Sequence, residues 1–159
     1  MDAEFNPYAA PKAGDADPPR GDGAPALWNP MAAALWSLLF SPAFGAYLHM
    51  RNWQALEDEQ RAGAARIWFI VSLAALALSV LVAMVTDHDR LNAPMRWIGV
   101  ALLVSWYHSG ARPQIRYVKR EFGADYPRRS WMKPLLSAVG VFLAVMVALT
   151  LSVILQEPF

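Results

Sequence analysis

The chain contains three histidines, His49, His88 and His108, and no cysteine. Without cysteine there is no thiolate metal site, iron–sulfur cluster, disulfide framework or cysteine nucleophile. His49 and His108 close two separate apolar segments, and two imidazoles at similar depth on different helices are the donor set of bis-histidine haem ligation. Histidine equally suits a polar interface as an uncoordinated residue, so no cofactor is expected. Asp87-His88-Asp89 carries metal-ligating atoms, but adjacent loop residues seldom converge on one ion. P-loop, nucleophile-elbow and HExxH patterns are missing, and no Asp, Glu or Lys sits at the centre of an apolar segment, where proton relays and ion paths need one. An enzyme is not expected. A small transporter or channel-like oligomer has only the carbonyls freed by Pro42 and the small-residue faces to support it.

The densest chemistry is basic. Pro113-Gln-Ile-Arg-Tyr-Val-Lys-Arg-Glu-Phe122 opens with a proline suited to a first helical turn. Ile115, Val118 and Phe122 then share one face, flanked by Arg116, Lys119 and Arg120. The pattern predicts a helix in the headgroup layer, apolar face down and basic flank against anionic lipid, with Tyr126 and Trp131 as further interfacial anchors. The expected lipid or partner contacts are therefore Arg116, Lys119, Arg120, Phe122 and Trp131. The same charges also suffice as topology signals alone. The run Glu57-Asp58-Glu59 reads as a solvated face.

Small residues recur every four positions: Gly140, Ala144, Ala148 and Ser152; Ala75, Ser79 and Ala83; Ala33, Ser37, Ser41 and Gly45. Such positions share a helix face and let backbones approach closely in lipid. Packing within the chain is the first expectation, a homodimer face the second.

Hydrophobic residues are 56% of the 159 residues and charged ones 17%, against about 45–50% and 25% in soluble domains. A net charge of +1 gives no electrostatic case for nucleic acid. Residues 1–27, with five prolines, three glycines and five acids, read as a disordered acidic tail rather than a signal peptide. Residues 28–159 form a helical membrane domain with apolar segments 31–50, 67–86, 94–110 and 134–155. Segments two and four are uncharged and bilayer-length; segment three is shorter and holds Arg96, which can snorkel. In segment one Ser41-Pro42 breaks the helix, giving either a kinked span or a re-entrant hairpin.

The connection 111–133 carries seven of the 14 Lys and Arg residues, so the positive-inside rule puts it in the cytoplasm. With four spans the tail lies outside and the basic residues divide ten inside to four outside; with a re-entrant first segment the tail lies inside and they divide twelve to two. The rule accepts both.

Trp28-Asn29-Pro30 with LWSLLFSPAFGAYLHMRNWQAL, and SWYHSGARPQIRYVKREFGADYPRRSWMKPL, resemble stretches of small, uncharacterised bacterial inner-membrane proteins. The matching stretches cover about half the chain. The resemblance implies a bacterial inner membrane and carries no activity, ligand or site residue. The expectation is an all-α integral membrane bundle of three or four spans, a non-enzymatic scaffold or accessory subunit. Its partners are the bilayer, anionic lipid at the cytoplasmic face, and a second copy or another membrane protein. A single cysteine at Ala124, in the basic connection, should resist membrane-impermeant maleimide in intact cells and react after permeabilisation.

Overall fold

A computed structural model describes residues 23–85 and 88–156, without the side chains of residues 85, 88–95 and 156. Most of the tail, Asp87, and the side chains of His88 and Asp89 therefore lie outside the described residues. The described residues are helical apart from turns and one isolated bridge. The helices are α1 (Pro30–Leu39), α2 (Pro42–Ala55), α3 (Glu59–Val85), α4 (His88–Trp106), a π-helical turn (Tyr107–Ala111), α5 (Arg112–Glu121) and α6 (Met132–Gln156). Two of them, α3 and α6, are long and apolar enough to cross a membrane.

The Asn29-Pro30 dipeptide starts α1. The Asn29 side chain accepts from the N–H groups of Met31 and Ala32, and Pro30 occupies a first-turn position where no N–H is needed. Pro42 stops it, because a proline forces the preceding residue out of the helical region. Ser41 is accordingly extended (φ 168°, ψ 164°), and α2 restarts in a new direction.

The two short helices fold back on each other. Asn52 Oδ1 accepts from Trp28 N–H at 3.0 Å and Asn52 Nδ2 donates to Trp28 C=O at 2.8 Å, so the far end of α2 is tied to the start of α1. The arms match: α1 has 10 residues and α2 eleven up to Asn52, each about 15 Å at 1.5 Å per residue. Segment one is thus a hairpin with both ends at one end of the molecule. Buried Ala33, Ala34, Ala43 and Ala46 keep the arms close. A Cβ at Gly45 would run into Ser37 Oγ and the Trp106 ring. Ser37 itself is buried and donates to Ala33 C=O at 2.8 Å.

Trp106 of α4 fills the space beside the hairpin with Ala34, Ala46 and Ala111, and Trp68, Phe69, Leu103 and Ile115 pack around this cluster. Below Trp106 the helix widens. Pro113 has no N–H and would crowd the carbonyl four residues earlier. The π turn absorbs the misfit, with Arg112 N–H bonded to Tyr107 C=O. It also inserts one residue into the register. A regular helix would carry the buried stripe from Trp106 through 110, 113 and 117, whereas the buried residues are Trp106, Ala111, Gln114 and Val118. α5 is therefore a continuation of α4 turned onto the hairpin, not the separate surface helix that Pro113 suggested. Gly123 (φ 61°) ends it with a bond from its N–H to Lys119 C=O.

Leu27, read as the last tail residue, is fully buried and belongs to the folded part. Its N–H donates to Pro127 C=O and its C=O accepts from Arg129 N–H, both at 2.9 Å. Trp28 Nε1 donates to Ser130 C=O at 2.9 Å, so the lead-in to α1 is joined to the lead-in to α6.

Replacing Asn52 with alanine orphans both backbone groups of Trp28 and weakens the hold on Gln114. Each orphaned group costs about 1–3 kcal/mol. Asn52→Ala should lower the thermal midpoint in detergent clearly, while Gln60→Ala on the exposed first turn of α3 should leave it unchanged.

Candidate functional site

One end of the molecule gathers most of its polar structure. Gln114 Nε2 donates to His49 C=O at 2.9 Å, and its Oε1 accepts from Asn52 Nδ2 at 3.3 Å, which locks α5 to α2. Beside this pair Trp53 meets Tyr117 with ring centroids 5.2 Å apart, and the Arg61 guanidinium lies over both rings at 4.9 and 5.3 Å. Arg61 also pairs with Asp58, whose carboxylate accepts from Arg61 N–H at 2.9 Å at the start of α3. The acidic run expected to be a mere solvated face thus supplies a helix cap. The Arg129 guanidinium covers Trp28 at 4.8 Å and that of Arg128 covers Tyr126 at 5.7 Å. Partial burial raises the Tyr126 hydroxyl above its ordinary pKa against the pull of Arg128, so it is a neutral phenol.

On this frame Arg116, Lys119 and Arg120 are exposed along α5. Arg120 pairs with Glu121 at 2.9 Å, a solvent-screened contact worth less than about 1 kcal/mol. Phe122 is half-buried, edge-on to Tyr117 at 6.4 Å, and Trp131 is half-buried just before α6. The face expected to rest on lipid points elsewhere: Val118 is buried and Ile115 packs on the Trp106 cluster. Val118 is thus turned to the protein, while Arg116, Lys119 and Arg120 form an exposed basic ridge along α5.

The small-residue stripe of segment four is split. Nothing lies within 4 Å of a Cβ built at Gly140, and Ala144 is exposed, whereas Ala148 and Ser152 are half-buried. The stripe of segment one, by contrast, packs at Ala33, Ser37 and Gly45. The close helix contact belongs to the hairpin.

His49 and His108 sit in unlike surroundings. His49 is buried edge-on against Trp106, with ring centroids 5.6 Å apart, and faces the Pro30 carbonyl without a well-formed hydrogen bond. His108 is exposed, its ring against Tyr107. Among the described residues no three His, Asp or Glu side chains gather as a metal site requires.

A groove of about 220 Å³ opens between the hairpin tip, α3 and α6. Phe40, Phe44 and Tyr47 form one wall, Phe69, Leu73 and Leu76 the second, and Ala138, Val141 and Val145 the third. Its hydroxyls are those of Ser41, Tyr47 and Ser137, and Ser137 Oγ already donates to Pro134 C=O. No charged residue lines it. Sequence reading missed this groove and the Asn52–Gln114 pair. The available signal for the pair was two uncharged amides beside apolar runs; for the groove there was none before the helices met.

No family model, curated protein or solved structure matches the chain.

Gly45→Ala should lower the thermal midpoint in detergent, since overpacking a filled site costs about 1–3 kcal/mol. Gly140→Ala should be neutral or slightly stabilising, because the added methyl meets nothing and alanine favours helix.

Proposed function

We propose that the chain is an integral inner-membrane protein of a bacterium, in which α3, α4 and α6 span the bilayer and the α1–α2 hairpin enters and leaves through the cytoplasmic leaflet. It acts as a non-enzymatic scaffold or accessory subunit, holding lipid or a membrane partner. The observation that carries this reading is the surface of α3 and α6. Only 6% of the apolar window of α3 and none of that of α6 is buried, with Ile67, Leu81, Leu136 and Ile154 all about 60% exposed. In water such faces form apolar patches far larger than the few hundred Å² tolerated by monomers. In a bilayer they are ordinary lipid-facing surface.

The hairpin supports the three-span version. Its arms of about 15 Å reach half of a hydrocarbon core about 30 Å thick. Irregular backbone at that depth needs internal partners. The tip supplies them: Phe40 N–H donates to Trp36 C=O at 3.0 Å and Phe44 N–H to Ser41 C=O at 3.1 Å. With the hairpin returning to its own side, twelve of the 14 Lys and Arg residues fall in the cytoplasm. The exposed ridge of Arg116, Lys119 and Arg120 then faces anionic headgroups or an acidic partner surface.

The cysteine-free chain makes the test direct. Single cysteines at Ala24 and Asp89 should differ in intact cells: Ala24→Cys shielded from impermeant maleimide, Asp89→Cys labelled. Labelling at both sites would mean that segment one crosses the bilayer and would overturn the re-entrant arrangement.

A further inference from the structure

The proposed function leaves the groove between the hairpin, α3 and α6 without a role. Its three walls run in different directions, since α2 approaches the polar end while α3 and α6 leave it. Each wall nevertheless carries a basic residue about one turn from the groove on the side of that end. Arg51 lies four residues after Tyr47 on α2, Arg66 three residues before Phe69 on α3, and Lys133 four residues before Ser137 on α6. Residues three and four apart share a helix face, so each cation lies on the groove side of its own helix, about one turn beyond the uncharged lining. All three are exposed. Arg51 donates to the Gln54 side-chain amide at 3.1 Å. Ion pairs among the described residues are Arg61–Asp58 and Arg120–Glu121, and neither involves these cations.

The dimensions match one kind of occupant. From Ser137 to Val145 the groove follows α6 for about 12 Å at 1.5 Å per residue. That stays within the roughly 15 Å of hydrocarbon in one leaflet. An uncharged space of about 220 Å³ suits part of one acyl chain.

We infer that the groove holds a phospholipid of the leaflet on the basic side, one acyl chain lying along Phe44, Phe69, Leu73 and Val141 and an anionic phosphate among Arg51, Arg66 and Lys133. This deepens the membrane reading and rests on it. Three cations outside the ion pairs of the described residues select an anionic headgroup over a zwitterionic one. The hairpin is what makes the site, because Phe44 and Arg51 reach it only when α2 turns back beside α3. The acyl chain in turn seals the flank of the hairpin tip.

Native mass spectrometry of the full chain in mild detergent tests this, with dioleoyl phosphatidylglycerol or dioleoyl phosphatidylcholine added. One phosphatidylglycerol should be retained roughly tenfold better than phosphatidylcholine. The combined variant Arg51→Gln, Arg66→Gln, Lys133→Gln alters only exposed positions and should drop retention to the phosphatidylcholine level with an unchanged thermal midpoint. Ala138→Phe, which fills the groove, should lower retention of both lipids. Equal retention of the two lipids by the unaltered chain, or undiminished selectivity in the triple-glutamine variant, overturns the inference. So does loss of selectivity only when Arg116, Lys119 and Arg120 become glutamine, which would move the site to α5. A chain that survives alkaline carbonate extraction in the membrane yet shows no selective lipid overturns this inference alone. A chain released by carbonate overturns the membrane reading as well.

Discussion

Asn52 holds the backbone N–H and C=O of Trp28 with a single carboxamide, and the packing of α4 and α5 against the hairpin builds on that closure. Two matched arms can stay together only if their open ends are tied, because a broken helix with a free end gains entropy by straightening. Closing the hairpin brings Gly45 against Ser37 and makes the slot that Trp106 fills. It also brings His49 C=O and Asn52 to the height at which Gln114 can bond both. In a low-dielectric surrounding such a network is stable only when its members are satisfied together. Its amides meet that requirement, each acting as donor and acceptor.

The π turn is the second constraint. Pro113 makes a regular α-helical continuation costly at that point, and the wide turn resolves the conflict by adding one residue to the register. The consequence reaches beyond the backbone. Gln114 and Val118 turn inward to the hairpin, while Arg116, Lys119 and Arg120 are left outward as a continuous ridge. A local backbone problem thus decides which side chains of α5 meet the protein and which meet its surroundings.

Together these features produce a molecule of two unlike parts. At one end, amide bonds, cation–π contacts over Trp28, Trp53 and Tyr117, and the Leu27–Arg128 bridge tie five chain segments together. Toward the other end α3 and α6 meet each other sparingly and turn Leu, Ile, Val and Phe side chains outward. Cohesion among helices in lipid comes from packing and polar contacts rather than from expelling water. An organised polar end with loosely packed apolar helices fits the membrane setting proposed above.

Much of this was legible in residue order alone. Hydrophobic runs of bilayer length marked α3 and α6, and Ser41-Pro42 marked the break in segment one, since each signal is a local property of a few neighbouring residues. The basic connection was equally plain. Whether the Pro42 break was a kink or a reversal was not, because it depends on an amide pairing between Trp28 and Asn52, 24 residues apart. Nor could local periodicity anticipate the one-residue shift at Tyr107–Ala111, which moved the inward face of α5 to Gln114 and Val118. The small-residue stripes looked alike in sequence, yet only the one on the hairpin meets a close neighbour at its glycine, Gly45, while Gly140 faces open space. Residue types and spacing determine which helices form and which surfaces they offer. Which surfaces meet is decided only by tertiary structure, because contacts between residues far apart in sequence depend on chain directions that no short window contains.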